Sequence, residues 1–232
     1  MTLLEAAKIR ISRRAYIPEL LSDEKKSALQ KIIDALCERS GLRIILMENG
    51  EDCFSLMKSY GMFSGVKSYF ALAGRADDER LHEKVGYYGE ELVLEATRLG
   101  LGTCWVAGSY DKASTDIGLA DGEALVCVIS VGEIKEAENL KEKFISGIIK
   151  TKRKSASQMS KNLDSSPEWF KKGMDCVVNA PSARNMQPVV FEYTPDGVGT
   201  ELLRSYSVNR IDLGIAEYHF ELGSGKRITD FN

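Results

Sequence analysis

The stretch GYYGEELVLEATRLGLGTCWVAG, residues 86–108, joins a helical pattern to a glycine stop and an aromatic exit, and the rest of the chain is placed relative to it. Val85, Tyr88, Leu92, Ala96 and Leu99 recur at spacings of three, four, four and three, which puts them on one stripe of a helix. Glu90, Glu91, Glu95 and Arg98 fall mostly elsewhere on the wheel, so the helix is amphipathic and buries one face. Gly100 and Gly102 end it, since glycine takes the left-handed conformation that a helix C-terminus commonly needs. The chain then leaves through Thr103, Cys104, Trp105 and Val106 into Gly108. Taken alone, this is a core helix with a tight exit, and its meaning depends on residues 10–16 and 180–188.

Composition sets the frame. With 232 residues, 44% apolar and 28% charged, the chain has the make-up of a globular protein of one large or two small domains. Thirty-one basic against 34 acidic residues leave a net charge of −3, so no global field recruits nucleic acid or an anionic membrane. Any anion has to be bound locally. No apolar run approaches the roughly 20 residues of a membrane span, and the N-terminal basic residues follow the short apolar stretch, the reverse of a secretory signal. The expected compartment is the cytoplasm. The five cysteines, scattered and without CxxC, read as reduced core residues, Cys127 most clearly. His82 and His219 lie far from any cysteine at ligand spacing, so no metal site is expected.

Around the central helix the elements alternate. Residues 3–8 suit a short helix that delivers Arg10-Ile11-Ser12-Arg13-Arg14-Ala15-Tyr16. If that segment is extended, Arg10, Ser12 and Arg14 share a face and can grip a phosphate-bearing ligand. The same residues read equally as a solvated basic patch. Ser22-Asp23-Glu24 starts a second helix, with Leu29, Ile32, Ile33 and Leu36 facing inward and a stop at Ser40-Gly41. Residues 42–47 form a strand, Asn49-Gly50 a turn, residues 52–60 a short helix, and residues 67–74 a second strand. Residues 109–122 are a polar loop before the most apolar strand, ALVCVISV, residues 124–131.

From residue 135 to residue 166 the composition turns to Lys, Glu, Ser and Asn, which marks an exposed linker and a boundary between halves 1–150 and 151–232. Beyond it come a helix from Pro167 to Asn179, the loop APSARNMQP at residues 180–188, and a strand at residues 189–193. A turn at Asp196-Gly197 and a helix at residues 211–223 follow.

Three of these stretches, RISRRAY, GLGTCW and APSARNMQP, together resemble the FMN-dependent nitroreductase family, which carries RxSxR near its N-terminus, a helix ending in GLGTCW, and an AP-S-x-x-N-x-Q-P loop. The order differs. In the family that loop follows the first helix, where this chain has only Cys37-Glu38-Arg39-Ser40-Gly41. Family members are homodimers with flavin at the interface, RxSxR coming from one subunit and the loop from the other. One copy of each motif in one chain therefore looks like a fused dimer, a monomer whose two pseudo-symmetric halves each keep one half-site. Residues 86–94 and 214–222 share a Gly, an apolar residue at the seventh position and Leu at the ninth.

The resemblance implies an α/β fold of α+β type, with a central, largely antiparallel sheet flanked by helices. It implies an FMN-dependent oxidoreductase that takes hydride from NAD(P)H and passes it to a small electron-poor acceptor such as a nitroaromatic or a quinone. The alternative is a flavin-binding carrier or sensor without turnover. Arg10 and Ser12 would bind the phosphate, with Arg153 or Lys152 as a further contact, and Arg14 would face the N1/O2 edge of the flavin. Ala107 and Gly108 would offer backbone N–H near N5. Pro181, Ser182, Asn185 and Gln187 would contact the ribityl chain and ring. Trp105 either pads the site or belongs to the core. No side chain is needed as a general base, because hydride moves directly between nicotinamide and flavin.

Overall fold

The computed structural model describes residues 1–55, 57, 59–135, 153–204 and 206–231. The chain divides into two compact units. One comprises Arg10–Leu81 and Leu92–Gly147, and the other comprises Met1–Ile9, His82–Glu91 and Ile148–Asn232. Among the described residues no helix is long and apolar enough to cross a membrane. The expected boundary at residue 150, with Lys150 and Lys152, lies outside the described residues.

The first unit is built on a four-stranded antiparallel sheet, β1 (Arg43–Met47), β2 (Ser68–Arg75), β3 (Gly102–Val106) and β4 (Glu123–Gly132), in the order β1-β2-β4-β3. The register pairs Ile45 with Ala71, Ala71 with Val128, and Cys104 with Ser130. Tyr69, Phe70, Ala71, Leu72 and Ala73 of β2 are all fully buried, which explains why this strand is apolar on consecutive residues. Helix α2 (Asp23–Ser40) starts where expected. Ser22 is its cap, accepting from Lys25 N–H at 3.3 Å, and Gly41 closes it at φ 69°. Leu29, Ile33 and Leu36 are its buried face. Of the helix expected at residues 52–60, the described residues form the single turn α3 (Gly50–Cys53). Asn49 is held instead by the Tyr69 hydroxyl and by Ser114 O.

The second unit contains α1 (Leu3–Ile9), the start of α4 (Leu81–Arg98), α5 (Glu168–Val177), the hairpin β5 (Val189–Thr194) and β6 (Gly197–Leu202), and α6 (Ser207–Ser224). Its core gathers on Phe220, stacked on Phe191 at 5.1 Å and edge-on to Phe170 at 5.2 Å. Residues 155–166 are not the exposed linker their composition suggests. Ser155 and Gln158 form a capping box over the 3-10 turn Ala156–Met159, Met159 is buried, and Ser160 bridges to Phe191. Pro167 is the N-cap of α5 rather than its first residue. Strand β6, which has no hydrophobic alternation, is held by hairpin pairing to β5.

Within this unit α4 and α6 cross at two glycines in a reciprocal way. A Cβ on Gly86 would lie 2.1 Å from Ile211 O, and one on Gly214 would lie 2.0 Å from Glu83 O. Each glycine thus meets the carbonyl three residues before the other. One turn further along, Glu90, expected on the outer face of its helix, is fully buried and accepts from His219 Nε2 at 2.9 Å. His219 Nδ1 lies 3.6 Å from Cys176 Sγ of α5. Burial alone would push the imidazole down, but the hydrogen bonds to Cys176 and Glu90 and the Glu90 charge outweigh it and carry it up to about 9.

Candidate functional site

Segment 10–16 is extended. It pairs in parallel with β3 through Ser12 and Thr103, and then with the loop after α3 through Ala15 and Ser64. Arg13 N–H donates to Thr103 O at 2.9 Å, and Tyr16 N–H donates to Ser64 O at 3.0 Å. Arg10, Arg13 and Tyr16 are buried along this segment, and Ser12 and Arg14 are half-buried. Arg13 has a fastening role. A Cβ on Gly102 would run into the Ile134 side chain first and then the Arg13 stem at 2.9 Å, and Arg13 Nη2 donates to Lys135 O at 3.1 Å. The Tyr16 hydroxyl reaches Arg13 O and Ser130 Oγ, both at 2.7 Å.

Gly102 is therefore not a helix stop, as expected, but the residue that lets this segment lie against β3. Gly100, at φ 78°, ends the helix. Because the pairing is parallel, the direction from Arg10 to Arg14 follows that of β3, which ends at Val106 just before Ala107 and Gly108. Thr103 and Ala107 are about 13 Å apart at the usual strand rise. Ala107 and Gly108 are exposed. Gly108 has a negative φ, and among the described residues a Cβ there would meet nothing within 4 Å. That leaves room for close approach of a planar ligand to its backbone.

In the other unit, residues 180–188 form a loop between α5 and β5 whose backbone is unusual. Arg184, Asn185 and Gln187 have φ of 53°, 54° and 44°. Asn tolerates the left-handed region, whereas Arg and Gln do so at about 1–3 kcal/mol each, so the loop must be held from outside. Several bonds hold it. Ser182 Oγ accepts from Gln187 N–H at 2.9 Å, and Gln187 Oε1 accepts from Lys154 N–H at 2.7 Å. Lys154 Nζ donates to Gln187 O at 2.8 Å.

Gln187 is 2% exposed and its Nε2 donates to Val178 O, so both ends of its amide are committed to fastening the loop. Pro181, Ser182 and Asn185 are half-buried. Arg153 Nη1 reaches Asn179 Oδ1 at 3.3 Å, next to the start of the loop. Two residues of the loop's support went unnoticed in the sequence, Lys154 and the α6 carboxylate Asp212. Neither carries a local signal that separates it from an ordinary surface charge.

The antiparallel sheet with flanking helices is the mixed α+β architecture expected of a nitroreductase-like protein. Residues 2–224 match the model of a protein family described as "Putative TM nitroreductase". The chain belongs to that family, and with it to the nitroreductase-like oxidoreductases. The matched span takes in all three motifs in the order in which this chain carries them.

Among solved structures, a "putative nitroreductase" from Thermotoga maritima MSB8 shares 23% identity at a TM-score of 0.64, covering 96% of this chain and 83% of that one. A nitroreductase family protein from Clostridium novyi NT shares 18% identity over 59% of this chain and 87% of that one, with a TM-score of 0.48. An FMN-dependent nitroreductase from Clostridium difficile R20291 shares 20% identity over 59% and 91%, with a TM-score of 0.45. At 23% identity the likeness to the Thermotoga maritima protein is one of fold. No curated protein matches the chain.

Proposed function

We propose that this protein is an FMN-dependent oxidoreductase that takes hydride from NAD(P)H and delivers it to a small electron-poor acceptor, a nitroaromatic or a quinone. The observation that carries the proposal is the parallel pairing of the RxSxR segment, at Ser12, with Thr103 of β3, the strand that leads to Ala107 and Gly108. On this reading two phosphate donors and a cation would come from one segment, and the backbone after β3 would lie near N5. The open space at Gly108 and the buried arginine at position 10 fit such a ligand.

When bound, FMN supplies the two-electron carrier that protein side chains lack. The residues do the rest. Arg10 and Ser12 would donate charge-assisted bonds to the phosphate, and the resemblance assigns Arg153 as a further basic contact. Arg14 stabilises negative charge at the N1/O2 edge, and the backbone at Ala107 and Gly108 offers N–H groups. Pro181, Ser182 and Asn185 are assigned by their motif to the ribityl chain and ring. The Ser182 hydroxyl keeps a proton to donate while its oxygen accepts from Gln187.

The test is the absorption spectrum of the purified protein reconstituted with FMN. NAD(P)H should bleach the flavin bands, and a nitroaromatic or quinone should restore them. Bound FMN that neither nucleotide reduces would overturn turnover and leave a flavin carrier, and failure to bind FMN would overturn the proposal altogether.

A further inference from the structure

The loop at residues 180–188 changes direction at Ala183, between Ser182, extended at φ −148° and ψ 158°, and Arg184, left-handed at φ 53° and ψ 22°. A backbone N–H at such a corner cannot join a regular ladder and needs a partner of its own. Here the partner comes from another element of the same unit. Asp212 of α6, 4% exposed, accepts the Ala183 N–H on Oδ1 at 2.9 Å. Asn209, one turn earlier and fully buried, directs its Nδ2 to Asp212 Oδ2 at 3.4 Å.

A buried carboxylate is an expensive acceptor. Burial pushes its proton affinity up to about 6, with the Ala183 N–H and the Asn209 amide working the other way. An apolar residue would fill the space at lower cost, but it would leave the Ala183 N–H without an acceptor.

We infer that Asp212 is a positioning residue that holds the corner of this loop and thereby sets the protein's affinity for FMN. The inference rests on the flavin reading above. It separates the jobs within the motif: Ser182 and Asn185 meet the ligand, Gln187 and Lys154 close the loop upon itself, and Asp212 ties it to α6. Oδ1 is the atom that matters, so an amide of the same shape should serve and a methyl group should not.

The experiment compares wild type, Asp212→Asn and Asp212→Ala by FMN titration and by amide hydrogen exchange. Asp212→Asn should bind FMN within about threefold of wild type, and Asp212→Ala about tenfold to hundredfold more weakly, the range for a lost bond to a charged acceptor. In Asp212→Ala, exchange should rise at residues 183–187 while α6 stays protected, a local signature that general destabilisation would not give.

Should Asp212→Ala fail to fold, the wild-type Ala183 amide decides. Slow exchange there relative to Arg184 supports the clamp, and equal exchange overturns it. If FMN binds wild type and Asp212→Ala equally, the positioning role is overturned while the flavin reading stands. If wild type binds no FMN, both fall.

Discussion

Replacing Gly214 by alanine sets two effects of opposite sign against each other at the α4–α6 crossing. Alanine is the better helix former by about 1 kcal/mol, which favours the variant. Against that, the new methyl group would sit 2.0 Å from Glu83 O and 2.7 Å from Tyr87 N, both backbone atoms that cannot rotate away. To reach ordinary contact the helices must part by about 1 Å or more, and a gap of that size forfeits a quarter to a half of the dispersion energy of every contact along the seam. Overpacking alone costs about 1–3 kcal/mol. One turn away the 2.9 Å bond between His219 and Glu90 would lengthen beyond hydrogen-bonding range, exposing part of the about 3–5 kcal/mol cost of breaking a buried pair. The clash wins. The expected net loss is about 2–4 kcal/mol, read from urea unfolding midpoints at unchanged slope. Gly108→Ala is the control, because its methyl group enters open space at negative φ. It should shift stability by no more than about 0.5 kcal/mol while weakening FMN binding. A Gly214→Ala protein as stable as wild type would refute the backbone contact between the two helices.

Arg10→Ala should weaken FMN binding about tenfold to hundredfold but leave riboflavin, which lacks the phosphate, nearly unaffected. Titration with the two ligands checks this, and equal weakening of both would remove Arg10 from the phosphate contacts. His219 is carried up to about 9 in the folded protein from an ordinary value near 6.5, so the native state binds the extra proton between those values. The stability it contributes is complete below about pH 6.5 and is lost as pH rises through about 9. Denaturation midpoints measured across that window should fall in wild type and stay flatter in His219→Gln.

How far the chain could be read in advance depends on how local each cause is. Helix α2 is written in adjacent residues: a cap at Ser22, acids behind it, an inward stripe and Gly41 at the end. Strands β2 and β4 are apolar enough on both faces to announce a covered sheet. The RxSxR segment pairs with β3 at Ser12, but its buried residues, Arg10, Arg13 and Tyr16, do not follow a two-residue alternation. Causes that lie far along the chain were not legible. Glu90 looks outward on a helical wheel because its partner is His219, 129 residues away. Strand β6, GVGTEL, has too few apolar residues to show a period and becomes a strand only because the turn at Pro195-Asp196 lays it beside β5. Gly100 and Gly102 look like one signal yet do different jobs, one ending a helix at φ 78° and the other making room for Arg13.

The nine-residue likeness between residues 86–94 and 214–222 has a local cause at its glycines. At a reciprocal crossing only the two contact positions are constrained, since each must lack a Cβ against the other helix's carbonyl. Glycine therefore recurs at 86 and 214. The neighbouring positions meet different partners: Tyr87 gives its hydroxyl to Glu221, whereas Ile215 is simply buried. A pattern reduced to one obligatory residue per helix is what close helix contact asks of a sequence.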